Sequence, residues 1–506
     1  MTFMALHLPP LIQALLEPQR YPHGVVRVEL VETHISWILL AGDFAYKIKK
    51  PLKLSFLDFS TLAQRLQGCE DELRLNHRYA PDIYLDVVGL FNTPQDPRWS
   101  GPGAAIEYAV KMRRFDDAAR LDRLCVRSEL MPLHLSDLAD AVAAFHDAAD
   151  IAPVDSCFGS PTAVLAAARA NFDGLERALP DAALRDRLAT LRTWTEAQFT
   201  QLAPLMSARQ AGGRVRECHG DLHLANLVLI DQRVRMFDGI EFNEELRWID
   251  VASEIAFTYM DLLAHGEPRL ADWFVDEVLS RSGDYEAALL LRFYAVYRAL
   301  VRAHVAAIRA QQSQGEDSEA DAQTEAYVAL AERLVAPPPV RLVITHGLSG
   351  CGKTVASTQL LQSDGQAATL RLRSDVERKR LFGLASTARS GSSMNNGIYV
   401  GDAHARTYGH LRELAGRMLR AGWSVIVDAT FLQRADRDAF AALAWETGSA
   451  FAILAPQATP SQLRERILSR SAQGYDASDA TLEVLAQQMR VINPLAEDEG
   501  PVILQA

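Results

Sequence analysis

Residues 219–238 read HGDLHLANLVLIDQRVRMFD. His219 and Gly220 lead into Asp221, Asn226 follows five residues on, and an apolar stretch that pauses at Asp231-Gln232 ends at Asp238. That pattern predicts a short loop followed by an apolar strand pair. Phosphoryl transfer needs one carboxylate to orient the attacking hydroxyl, and an Asn and a second carboxylate to hold Mg²⁺ against the nucleotide phosphates. The spacing therefore predicts Asp221 as the base and Asn226 and Asp238 as the metal ligands. A polar hairpin between two strands, the plainer reading, would not require all four positions to fit together.

Upstream, residues 25–49 alternate and are rich in Val, Ile and Trp, which predicts strands with turns near 32–33 and 42–43. Residues 61–79 predict a helix with Leu62, Leu66, Cys69 and Leu73 on one stripe. Two more strands, 84–90 and 105–115, flank a Pro/Gly/Trp loop at 92–103. Together these predict a small lobe over about 1–117, followed by a largely helical lobe over about 118–336. The small lobe has no Gly-x-Gly-x-x-Gly run, so the turn at 32–36, with Thr33 and Ser36, is the candidate cover for the phosphates. Arg298 and Arg302 lie four apart on a predicted helix, either a solvated face or a contact for an anionic substrate. Pro337-Pro338-Pro339 cannot continue a helix and predicts a stiff spacer and a domain boundary at 337–339.

After the prolines, residues 340–345 predict an apolar strand, followed by Gly347-Leu-Ser349-Gly350-Cys351-Gly352-Lys353-Thr354 and a helix. Gly-x-x-x-x-Gly-Lys-Thr in a strand–loop–helix context is a P-loop. Its backbone N–H groups wrap phosphates at a helix N-terminus. Lys353 would reach the outer phosphates and Thr354 would offer its hydroxyl to Mg²⁺. Cys351 is either a small residue that fits the loop or an oxidation-sensitive point. Further strands at 368–372, 423–427, 451–454 and 501–504 alternate with helices and predict a doubly wound parallel sheet over 340–506. Ligands of such sheets bind at the strand C-terminal ends, where Asp375 and Asp428 fall. Asp428 suits a supporting role at Mg²⁺, and Asp375 suits a base or substrate contact. Residues 463–478 predict a mobile helical lid with Arg466 and Arg470 four apart, either a solvated face or charge supplied to a transferring phosphoryl group.

The chain has 506 residues, more than one core holds, and a formal net charge of −12. Residues from Arg341 onward are near neutral, at about +2, so the acid is concentrated upstream, which argues against wrapping nucleic acid there. Five scattered Cys with no Cys-x-x-Cys pair suit a reduced cytoplasmic protein without a zinc finger. No uncharged apolar run reaches membrane-spanning length, and the N-terminal residues lack a basic leader region.

The 219–238 stretch resembles the catalytic loop of protein kinases, with His-Gly-Asp in place of His-Arg-Asp, as in the aminoglycoside phosphotransferase and choline kinase branch. That resemblance covers roughly 25–335 and implies a bilobal kinase-like fold with ATP and Mg²⁺. It implies a nucleotide-binding strand Lys, for which Lys47 is the choice over Lys49, Lys50 and Lys53, and a helix Glu paired to it, Glu72 ahead of Glu70. It also implies an Asp near 250 that accepts backbone hydrogen bonds from the catalytic loop, assigned to Asp250. The second half is similar to zeta-toxin-like, gluconate and polynucleotide 5′-kinases. In the last of these, a Ser-Asp-x-x-Arg run like Ser374-Asp375-Arg378 supplies the base and a cation that steadies a neighbouring phosphate. The whole chain looks like bacterial fusions of an aminoglycoside phosphotransferase domain with an ATP-binding P-loop domain.

The expectation is an α/β multidomain protein with two ATP-dependent phosphotransferase sites acting on small-molecule or nucleic-acid hydroxyls. Its rivals are a P-loop ATPase switch with a nucleotide-sensing first domain, and a zeta-toxin-like kinase with a fused antagonist.

Overall fold

The computed structural model describes residues 8–505 apart from 55–56, 154, 180, 313–317, 366–367, 385–400 and 474–480. Its contacts divide into two compact units. The first comprises Met1–Leu130, Ala144–Val164 and Ala203–Thr258; the second comprises Met131–Ala143, Leu165–Leu202 and Tyr259–Ala506.

In the first unit, antiparallel strands Val28–Glu32, Ser36–Ala41, Phe44–Lys49, Glu107–Arg113, Tyr84–Thr93 and Asp96–Arg98 lie in that order in one sheet. The predicted 92–103 loop thus contributes a sixth, short strand. Helix Leu62–His77 starts at a reciprocal cap: the Gln64 amide donates to the Thr61 hydroxyl, and the Thr61 amide donates to Gln64 Oε1. A Cβ at Gly68 would lie 2.7 Å from the Phe59 ring, so only glycine lets this helix approach so closely. Glu72, one turn on, is fully buried as a result.

Strands Leu227–Ile230 and Arg233–Met236 form a hairpin closed by Asp231 and Gln232, both at positive φ. Such two-residue turns match the right-handed twist of the strands. One further bond, from the Phe237 amide to the Asn226 carbonyl (3.0 Å), extends the ladder at the open end and places Asn226 and Asp238 together.

The second unit holds a parallel sheet ordered Thr369–Arg373, Ser424–Asp428, Arg341–Thr345, Ala450–Pro456, Val502–Gln505. The first of these is an edge strand with N–H groups that no neighbouring strand takes. Helix Pro268–Ser282 lies along it. Asp272 accepts from the Ala368 and Thr369 amides (2.8 and 2.9 Å), and Asp276 accepts from the Arg371 amide (2.6 Å). Trp273 of the same helix packs on the core of Val343, Ala356, Leu361, Ile426 and Leu454. The proline run lies inside this unit. Arg298 is buried and Arg302 reaches the Tyr327 hydroxyl, so the expected solvated face of that helix is instead packed. Among the described residues no helix is long and apolar enough to cross a membrane.

Candidate phosphoryl-transfer sites

In the first unit, Lys47 Nζ donates to Glu72 Oε1 (2.8 Å) and also meets Asp238. Burial works against the Lys47 ammonium, but Asp238, Glu72 and Glu241 outweigh it and hold its pKa well above the usual value. Burial likewise opposes ionisation of Glu72, yet Lys47 and Lys49 hold that carboxyl down at about 2. Lys49, the alternative to Lys47 on the same strand, bridges Glu72 and Glu241 in a second buried pair. Glu70 has no part in this network.

Asp221 lies in the loop ahead of the hairpin. Asn226 Nδ2 donates to the Asp221 carbonyl (2.9 Å) and to Oδ2 of its carboxylate (3.0 Å). This leaves Asn226 Oδ1 as the atom suited to a hard cation, which takes oxygen ligands. The Asp238 carboxylate, 45% exposed, is the second such donor; fully buried Glu72 is not. Asp238 itself sits at φ 63, a left-handed conformation Asp tolerates. It is held there by bonds from its own amide to the Tyr84 hydroxyl (2.9 Å) and from the Gly239 amide to Asn76 Oδ1 (2.8 Å). The donor set fits Mg²⁺.

His219 orders the loop from below. Its Nε2 donates to the Phe237 carbonyl (2.8 Å), its Nδ1 accepts from the Asp221 amide (3.3 Å), and burial pushes its pKa down, favouring the neutral ring. The expected role of Asp250 is overturned. Both Asp250 oxygens are gripped by Arg209 (2.8 Å each), and Oδ1 caps the next helix at the Ala252 amide. Glu254, one turn further, accepts the His219 and Gly220 amides (2.7 and 2.8 Å). Burial would raise the Glu254 carboxyl, but His146 and the His219 backbone amide hold it below its usual value. Thr33 and Ser36 close the 33–36 turn on each other, through the Thr33 amide to the Ser36 carbonyl (2.9 Å) and the Ser36 amide to Thr33 Oγ1 (3.0 Å). The Ser36 hydroxyl is buried without a hydrogen-bond partner.

In the second unit the P-loop follows strand Arg341–Thr345 and runs into helix Lys353–Ser363. Gly347, Gly350 and Gly352 have φ of 143°, 88° and 101°. A Cβ would stand 2.7 Å from Cys351 Sγ at Gly347 and 2.9 Å from the Leu463 carbonyl at Gly350, so glycine alone fits this cradle. Lys353 Nζ donates to the Gly347 and Leu348 carbonyls (2.9 and 2.8 Å), poised at the mouth of the loop. The Ser349 amide is taken by Gln488 Oε1 (2.8 Å), and Cys351 is buried with Leu463, Ile467 and Leu485. The Thr354 hydroxyl is on the exposed first turn, and Asp428, buried at the end of its strand, accepts from Ser357 Oγ (3.2 Å). Ser357 Oγ also lies 3.1 Å from the Thr354 carbonyl, so Asp428 and Thr354 share this neighbour, and their oxygen atoms suit Mg²⁺.

Arg373 and Asp428 are register partners, so the ends of their strands lie side by side. Asp375 follows on the first turn of helix Ser374–Leu381, its carboxylate paired to Arg373 (2.9 Å). Arg378 is one turn further along that helix. Arg466 Nη1 donates to the Gly350 and Cys351 carbonyls (both 3.3 Å), which ties the arginine helix to the loop. The side chain of Arg470, and the 474–478 part of the expected lid, lie outside the described residues.

Residues 342–495 match the family model described as an AAA domain. Over 459 residues, 91% of this chain and 89% of theirs, the chain is 29% identical to uncharacterized proteins of Mycobacterium tuberculosis and Mycobacterium bovis. Among solved structures, a choline/ethanolamine kinase family protein from Mesorhizobium loti is similar over 65% of this chain and 96% of that one, at 11% identity and a TM-score of 0.40. A Chaetomium thermophilum protein solved with ADP–AlF3 is similar over 33% of this chain and 88% of that one, at 17% identity and a TM-score of 0.26.

Proposed function

We propose that the chain is an ATP-dependent phosphotransferase with two sites of unrelated design, each passing the γ-phosphoryl group of ATP to a hydroxyl. The reading of the first site rests on one observation: Lys47, Glu72 and Asp238 form one ion-paired group, Asn226 and Asp221 a hydrogen-bonded pair, and the bond from the Phe237 amide to the Asn226 carbonyl brings the two groups together although they span nearly two hundred positions. Lys47 would bind nucleotide phosphates. Asp221 would accept the proton as the acceptor oxygen bonds to the γ-phosphorus and the bond to ADP breaks. Asn226 and Asp238, and in the second unit Thr354 with Asp428 behind it, would hold Mg²⁺, which when bound neutralises phosphate charge.

In the second site Asp375 would be the base and Arg378, three residues on along the same helix, the cation that meets the acceptor. A base next to a fixed cation suits an acceptor hydroxyl adjoining an existing phosphate, with the 5′-hydroxyl of a polynucleotide as the leading case. Arg378→Ala is expected to weaken use of the phosphate-bearing acceptor far more than ATP binding. Asp375→Asn is expected to stop transfer while nucleotide still binds. The test is a screen of purified protein with γ-labelled ATP against aminoglycosides, choline, sugars, nucleosides and 5′-hydroxyl oligonucleotides. Absence of label on oligonucleotides removes the polynucleotide assignment, and labelling indifferent to Arg378→Ala removes the role given to Arg378.

A further inference from the structure

The second unit contains a cavity of about 870 Å³ that plays no part in the chemistry above. Ligand pockets typically span about 300–1,000 Å³. Its walls include Leu330, Leu334, Pro338 and Trp423, and its polar groups include Tyr259 and Arg292. Ala368, Trp423 and Pro338 sit just before strands Thr369–Arg373, Ser424–Asp428 and Arg341–Thr345, whereas the P-loop follows Thr345. At about 3.3 Å per residue, a five-residue strand separates the cavity from the phosphate loop by roughly 15 Å.

Arg292 is the unusual member. Its Nη2 donates to the Gly422 carbonyl (3.0 Å), and a Cβ at Gly422 would fall 2.4 Å from that nitrogen, so the glycine makes room for the guanidinium. Among the described residues no carboxylate pairs with Arg292, and burial pulls its pKa below the usual value. Glu332 is the one acid on the cavity wall, and Arg187 grips it through both oxygens (2.7 and 2.8 Å). Arg333, at the rim, adds a second guanidinium with no ion pair among the described residues. A largely buried cation without a counter-charge is costly, and a carboxylate or phosphate is its natural bidentate partner.

We propose that this cavity binds a small molecule with an apolar body and a single anionic group, carboxylate or phosphate, with the anion on Arg292. The site is separate from the phosphate loop of its own unit and independent of the acceptors proposed above.

Calorimetric titration of the full chain with decanoate, decyl phosphate and decanol tests it. The expected result is one saturable site that takes decanoate or decyl phosphate at least tenfold more tightly than decanol; whichever anion binds better identifies the head group. Arg292→Met, which keeps the apolar stem, is expected to reduce both anions to the affinity of decanol. Ala329→Trp fills the cavity from its wall, leaves Arg292 in place, and is expected to abolish binding of all three, so it decides the matter even if the Arg292 variant does not fold. Equal affinity for decanol, no saturable binding to the folded chain, a preference for the anions that survives Arg292→Met, or binding that survives Ala329→Trp in folded protein would overturn the proposal.

Discussion

Asp221 and Glu254 divide the work of the first loop: one is the proposed base and the other fixes the backbone beneath it. Glu254→Gln keeps the shape but replaces one acceptor oxygen with a donor, leaving a buried amide of His219 or Gly220 unpaired. The cost is about 1–3 kcal/mol of stability. The expected kinetic signature is a fall in kcat with little change in KM for ATP, read beside a melting curve; an unchanged kcat would mean the loop holds without this clamp. Spacing alone could not separate Glu254 from Asp250, which sit one helical turn apart. The choice is made by Arg209, forty-one positions upstream, which occupies Asp250. Glu72 and Glu70 were hard to separate by spacing, because the buried face of this helix runs through Arg65, Gly68, Cys69, Glu72, Leu75 and Asn76 and not along the leucine stripe. Lys49 and Glu241 were not legible, since a second buried ion pair beside the first carries no local signal.

At the scale of elements, the catalytic hairpin and the P-loop were readable because each is local: turn residues, apolar strands and glycines lie in one short run. The bonding of helix Pro268–Ser282 to the sheet edge was not, because Asp272 and Asp276 look like ordinary surface acids until the strand they serve is in place. Their burial has a measurable consequence. Desolvation outweighs Arg371 and raises the Asp276 carboxyl from 3.8 to about 6, so between those values the folded chain binds more protons than the unfolded one. Stability from this group is therefore complete below pH 4 and falls as pH rises through 6, by on the order of 3 kcal/mol. The melting-temperature difference between wild type and Asp276→Asn is expected to change across pH 4–6 and flatten above 7; a difference flat throughout would contradict the assignment. The 33–36 turn gives a second test. If this turn covers the nucleotide, Thr33→Ala, which removes the hydroxyl that closes it, should weaken ATP binding, and an unchanged affinity would remove the turn from the site.

For the whole molecule, the proposal is two complete sites in one chain: Asp221 and its partners in the first compact unit, Lys353 and its loop in the second. Either could lose its chemistry without the other. The most direct test is consumption of γ-labelled ATP by the full-length wild type, Asp221→Ala, Lys353→Ala and the double variant, each with unchanged melting. Loss of a positioned base costs about 10²–10⁴ in rate. The account predicts that each single variant abolishes only its own share, and that the double variant is silent. A single substitution that silences all turnover, or a double variant that keeps the wild-type rate, would contradict it.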